Sequence, residues 1–205
     1  MYVWSFLFLF VIMLLATGIV GCTAPAPSAA PESVSPTPTT GSISPPVASA
    51  APAGTLTIRV GSLSPGSPLP AASTCLGASE SPAVSWDMIP SGTKSLVLII
   101  DDPDATAGTF THWIVYNIPP VAGGLSAGQP NEKVLDDGAN IGDNSAGSRG
   151  YYPPCPPIGS THHYVFRLYA VDMDITQPTA NRESVDGALL GHTIAKTEFV
   201  TIFKR

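Results

Sequence analysis

The chain has 205 residues, of which 12% are charged and 44% hydrophobic, with 22 Pro, 19 Gly and 3 Cys. Charge this sparse argues against a charge-rich disordered chain, and a formal net charge of −6 lacks the basic face a phosphate backbone needs, so no nucleic-acid partner is expected. The mean hydropathy of +0.24 is high for an acidic soluble domain, so one segment must skew it.

That segment comes first in the chain. Tyr2 to Val20 carries no charge, and Phe6 to Leu15 is an unbroken apolar block, marginally long enough to cross a bilayer as a helix. An uncleaved transmembrane anchor and a secretory signal compete for it. The block ends Ile19-Val20-Gly21-Cys22. This run resembles a lipobox, the signal of prokaryotic lipoproteins, in which cleavage precedes a Cys whose thiol carries a diacylglycerol. The expectation is a leader over 1–21 and lipidation at Cys22. One feature departs from the pattern: no Lys or Arg precedes the block, and Arg59 is the first basic residue of the chain. Lipoprotein or anchor, the outcome is an extracytoplasmic domain tied to a membrane.

Residues 22–54 form the next unit. Pro25, Pro27, Pro31, Pro36, Pro38, Pro45, Pro46 and Pro52 are set among Ala, Ser and Thr, and Glu32 is the one charge. Without an apolar period no packed core can offset the entropy of ordering. A disordered, polyproline-like spacer is expected. Residues 55–205 remain, a single domain of ordinary size.

Within that domain, Thr55 to Val60 alternates with period two and is read as a strand. Ala83 to Trp86 is a shorter one. Ser95 to Ile100 is continuously apolar and breaks off into Asp101-Asp102-Pro103-Asp104, as a strand buried on both faces would. His112 to Ile118 is another strand, ended by Pro119-Pro120. Strict alternation in it would put His112, Ile114 and Tyr116 on one face and Trp113, Val115 and Asn117 on the other. Tyr164 to Val171 is a further strand. Arg182 to Lys196 suits one or two short helices interrupted near Gly191, and Thr197 to Phe203 a last strand. The stretches 61–77, 121–138 and 138–159 are long and turn-rich, a length at which loops usually carry function. The class is mostly β with short C-terminal helices.

Three clusters at strand ends could carry chemistry. Asp101, Asp102 and Asp104 crowd three carboxylates into four residues, which is costly unless cations or donors face them; a solvated acidic turn is the plain alternative. Thr111 to Asn117 brings His112. Gly150 to Gly159 is a stiff loop containing Pro153, Pro154, Cys155, Pro156 and Pro157, poor in free N–H groups. After it, His162, Tyr164 and Phe166 share one strand face, with His163 and Arg167 on the other. Three of the four His lie in these segments. Histidines near carboxylates suit either anion binding, with Asp fixing the imidazole tautomer, or a metal. No ligand spacing supports a metal, and no phosphate loop or cofactor motif is present.

Taken in order, Asp-Pro-Asp-Ala, Thr-His-Trp-Ile-Val-Tyr-Asn-Ile-Pro and Gly-Tyr-x-x-Pro-Cys-Pro-Pro-x-Gly-x-x-His-x-Tyr-x-Phe resemble the phosphatidylethanolamine-binding protein family, in particular its bacterial and archaeal Raf kinase inhibitor-like (YbhB/YbcL-like) branch. Thr74-Cys75-Leu76-Gly77, Ser81 to Trp86 and Gly191-His192 match as well, so the resemblance covers about 56–205. It implies a large antiparallel sheet packed with a smaller one, and a small pocket for phosphate or a phosphorylated head group. The residues it assigns to that pocket are Asp102, His112, His162 and Tyr164, with Asp104 supporting the loop and Pro154 and Cys155 in the wall. Two departures stand out: Thr106 replaces the usual Pro, and Pro153 replaces a Gly whose N–H can reach the anion. Cys75 and Cys155 belong to bacterial-branch motifs; outside the cytoplasm they can pair, and the alternative is two buried thiols. Some relatives inhibit a protease or kinase, so a protease or envelope protein is the expected kind of partner. An acid–base hydrolase using His112, His162 and Asp102 is the competing reading.

Overall fold

The computed structural model describes residues 55–176 and 180–205. The expected leader, the lipidation site at Cys22 and the spacer lie outside the described residues. Among the described residues no helix is long and apolar enough to cross a membrane.

In chain order the elements are β1 (Thr57–Val60), β2 (Val84–Asp87), β3 (Ser95–Asp102), β4 (Phe110–Ile118), β5 (Gly124–Leu125), β6 (Asn140–Ile141), β7 (Thr161–Val171), α1 (Arg182–Leu189) and β8 (Thr193–Lys204). Five strands pair in the order β6-β4-β3-β7-β8 and three in the order β1-β2-β5, every pair antiparallel. The class is mostly β, a larger sheet packed with a smaller one. The short β5 and β6 sit inside stretches whose sequence reads only as loop.

β3 explains the architecture. All eight of its residues are buried, because the strand lies at the centre of the large sheet with cover on both faces. Leu96, Leu98 and Ile100 face the small sheet and pack with Trp113, Val115, Phe166 and Leu168 of their own sheet and Val60 and Trp86 of the other. Val97 and Ile99 face the opposite way, joining Ile114, Tyr169, Val185 and Leu189 beneath α1. Two covered faces leave no room for the polar alternation that a half-exposed strand shows.

The helix is shorter than the sequence reading. Asn181 caps it reciprocally: its side chain accepts from Ser184 N–H at 2.9 Å, and the Ser184 hydroxyl accepts from Asn181 N–H at 3.1 Å. Leu190 is extended and Gly191 takes φ 78°, so the helix stops at Leu189. One helix forms rather than two. Residues 193–196, expected to be helical, are the first part of β8 and pair with β7. Long-range pairing along an eleven-residue strand overrides a local pattern that could serve either element. Val185 and Leu189 contribute about 1.5–3 kcal/mol each through burial of α1 on the sheet.

Candidate functional site: an imidazole–carboxylate pocket

The site forms where β3, β4 and β7 end together. On β3, Asp101 and Asp102 leave the strand to opposite faces. On β4 the pairing register slips: Ile100 faces Trp113, but the next residue, Asp101, faces Thr111. His112 is therefore the extra residue of a β-bulge. A bulge breaks alternation and re-aims a side chain. Thr111 stays on the Asp101 side, where its hydroxyl donates to Asp101 Oδ1 at 2.7 Å. His112 turns to the Asp102 side. This corrects the expectation that His112 shares a face with Ile114 and Tyr116. β7 alternates regularly and sends His162 and Tyr164 to the same side as Asp102.

The resulting cluster is closely packed. His162 Nδ1 donates to Asp102 Oδ2 at 2.7 Å, and the Asp104 backbone N–H donates to Asp102 Oδ1 at 2.9 Å. His112 Nε2 stands 3.9 Å from Asp102 Oδ2, beyond hydrogen-bond reach but close enough to feel its charge. His112 Nδ1 donates to the carbonyl of Tyr152 at 2.7 Å, and the Tyr152 N–H returns a bond to the His112 carbonyl at 2.8 Å. Asp102, His112 and His162 are all buried. Burial pushes the Asp102 carboxyl up, but the imidazoles of His112 and His162 and the Asp104 N–H outweigh it, so the carboxyl lies below its usual range. Tyr164 is fully buried with its ring edge-on to His112, centroids 5.3 Å apart. Burial and then the Asp102 charge push its hydroxyl well above the ordinary phenol range. The Tyr164 hydroxyl and His112 Nε2 are buried without a hydrogen-bond partner.

Above this cluster lies a cavity of about 210 Å³ lined by Asp102, His112 and His162 with Ala105, Thr106, Phe110, Tyr152, Cys155, Pro156 and Pro157. Phe110, Tyr152, Pro156 and Pro157 give the lining an apolar share beside the carboxylate and imidazoles. The wall from 150 to 157 is tied down at several points. Cys155 is disulfide-bonded to Cys75, with Cα atoms 5.4 Å apart. Cys75 N–H donates to the Pro154 carbonyl at 3.1 Å, and the Tyr151 hydroxyl donates to the Ser73 carbonyl at 2.7 Å.

The structure thus brings together Asp102, His112, His162 and Cys155 around one cavity. It does not bring the other three named residues to the lining. Tyr164 lies behind His112. Pro154 is buried in the wall, offering its carbonyl to Cys75. Asp104 points away: its Oδ2 accepts from both the backbone N–H and Nδ1 of His163, each at 2.7 Å. Phe110 lines the cavity without having been singled out, Thr106 was noted only as a departure from the family motif, and Tyr152 belongs to the 150–157 loop expected as a wall. Phe110 had a signal, an aromatic two positions before His112, but nothing local says that its ring rests 4.8 Å from the imidazole. Among the described residues no cluster of His, Cys, Asp or Glu is arranged to hold a metal ion.

A two-sheet fold with a small acid–imidazole pocket at the ends of its central strands defines a class of binding protein. The family model described as phosphatidylethanolamine-binding protein matches residues 60–204, and the chain belongs to that family. A UPF0098 protein of Methanothermobacter thermautotrophicus is 43% identical over 139 residues, 67% of this chain and 91% of that protein. A putative lipoprotein, LppC, of Mycobacterium tuberculosis is 40% identical over 124 residues, 60% of this chain and 59% of its own length. Among solved structures, the putative phosphatidylethanolamine-binding protein homologue CT736 of Chlamydia trachomatis superposes with a TM-score of 0.68 at 35% identity, covering 74% of this chain and 98% of that one. E. coli YbcL superposes with a TM-score of 0.67 at 28% identity, covering 73% and 98%.

Proposed function

We propose that the chain is an extracytoplasmic, membrane-tethered binding protein whose pocket holds a small oxyanion, either free phosphate or a phosphorylated head group. The observation that carries the reading is the convergence of two imidazoles on one buried carboxylate at the floor of a cavity small enough for such a group. Each imidazole spends Nδ1 on a fixed acceptor, which leaves its Nε2 for a ligand oxygen. The rings and prolines around it suit the apolar remainder of a larger ligand. Pro153 supplies no N–H, so the histidines carry more of the recognition than backbone amides do. Exposed Leu76, beside Cys75, and Ile158, beside Pro157, suit contact with a partner protein such as a protease or another envelope protein. The tether is assigned to Cys22, on its lipobox-like sequence and on the 40% identity to a putative lipoprotein.

Titration calorimetry of phosphate and phosphoethanolamine into the full chain in detergent tests the pocket. Binding that weakens at least about tenfold in His162→Ala supports it; absence of heat with any small anion sinks it. Mass spectrometry of the mature N-terminus tests the tether, through a diacylated Cys22 against an intact Met1. The buried Asp102–His162 pair also has the form of a general base with its orienting group, which keeps a hydrolase as the second reading. Steady turnover of a phosphoester or ester, lost in His112→Ala, would establish it in place of simple binding.

A further inference from the structure

We propose that the pocket takes an oxyanion only together with a proton, and that the proton goes to Nε2 of His112. The inference rests on the anion-pocket reading above and adds a condition to it.

A carbonyl oxygen can only accept, so the 2.7 Å contact with Tyr152 fixes the hydrogen of His112 on Nδ1. A carboxylate also only accepts, so the 2.7 Å contact with Asp102 fixes the hydrogen of His162 on Nδ1. With both rings neutral, their Nε2 atoms are bare lone pairs. For His112 that lone pair is buried, has no partner and stands 3.9 Å from Asp102 Oδ2. With neutral rings the floor therefore presents a carboxylate and lone pairs to an incoming anion, which repel it.

The surrounding charges do not relieve this. From β3 the group facing His112 is Asp102; Asp101 is on the other face of the sheet, bound to Arg167 and Arg182. From β7 come His162 and the unpartnered hydroxyl of Tyr164; His163 is turned to Asp104 on the outer side. The 150–157 loop contributes the Tyr152 ring and carbonyl, and its Tyr152 N–H is already bonded to the His112 carbonyl. Pro153, Pro154, Pro156 and Pro157 offer no N–H. The lining residues include neither Lys nor Arg. Arg205 reaches Sγ of Cys155 at 3.4 Å without joining the lining. Neutral hydroxyls of Thr106 and Tyr152 can donate but cannot cancel the Asp102 charge. Adding one proton to His112 Nε2 does both: it neutralises the floor and turns a buried lone pair into a charge-assisted donor.

Calorimetry on the full chain in detergent decides it, with inorganic phosphate as the probe, in two buffers of different ionisation enthalpy. At about pH 8 each phosphate should draw in about one proton, and at about pH 5.5 the uptake should fall towards zero. Imidazole ¹⁵N shifts recorded at about pH 8 should show Nε2 of His112 passing from lone pair to N–H as phosphate is added. Buffer-independent heats at that pH, or proton uptake with His112 Nε2 unchanged, overturn the inference while leaving the anion pocket standing. No heat at either pH removes the pocket and the inference together.

Discussion

Asp101 and Asp102 are consecutive residues of one strand, both buried, and the protein treats them in opposite ways. Asp101 is completely enclosed and saturated: Thr111 donates to one oxygen, Arg167 reaches the other at 2.5 Å and Arg182 at 3.2 Å. Arg182 is the first residue of α1, so this carboxylate pins the helix to the end of the central strand. Asp102 is given two imidazoles, groups that can gain or lose a proton, and it opens onto a cavity. Permanent cations make a structural lock, and titratable partners make a site. A bulge at one residue, His112, separates the two environments.

The largest test of that contrast acts on the pocket's wall. The Cys75–Cys155 bond closes a loop 80 residues long in sequence, and restricting such a loop in the unfolded chain is worth about 4 kcal/mol. Replacing both Cys by Ser should lower the denaturation midpoint by a matching amount in urea melts. An unchanged midpoint would mean that the wall is held by its hydrogen bonds alone. Asp101→Asn should come next, at about 2–3 kcal/mol, because it leaves two partly buried guanidinium groups without their shared anion. The folded fraction of that variant should bind phosphate as the wild type does, since its lesion is on the opposite face. Impaired binding at full folding would break the division between lock and site.

Acid sharpens the other half of the comparison. The folded-state carboxyl of Asp102 lies below its unfolded value. Its contribution is therefore fully present above the unfolded carboxylate range, about pH 4, and is lost as pH falls through the lower folded value. Stability measured by denaturant between about pH 6 and about pH 2 should fall more steeply in wild type than in Asp102→Asn. Parallel curves would show that the imidazoles do not hold the carboxylate ionised.

Much of this was legible in the sequence, and the gaps have identifiable causes. The apolar run of β3 and its sudden acidic end announced a central strand whose tip carries chemistry. The alternation of His162, Tyr164 and Phe166 correctly placed them on one face. His112 was misplaced because a bulge depends on the partner strand: nothing between Thr111 and Ile118 marks which residue will be left unpaired. The tie from Asp101 to Arg182 spans 81 positions and belongs to the tertiary fold. The helix ended early because residues 193–196 found a partner in β7, which local periodicity does not register.

The smallest expected effect concerns the third carboxylate, and it tests whether proximity to the cluster is enough to matter. Asp104 sits two residues from Asp102 and accepts two bonds from His163, yet both side chains are about half exposed. The hydrogen bonds from His163 hold its carboxyl below the usual range. Water screens such a pair, and exposed ion pairs of this kind contribute less than about 1 kcal/mol. Asp104→Asn should accordingly shift the melt only slightly. Its effect on phosphate binding should be smaller still, because the link to Asp102 runs through the Asp104 backbone N–H, which the substitution keeps. Calorimetry comparing Asp104→Asn with Asp102→Asn would separate them. A loss in Asp104→Asn equal to that in Asp102→Asn would mean that the long-range charge of the acidic turn, rather than the buried contact geometry, governs the pocket.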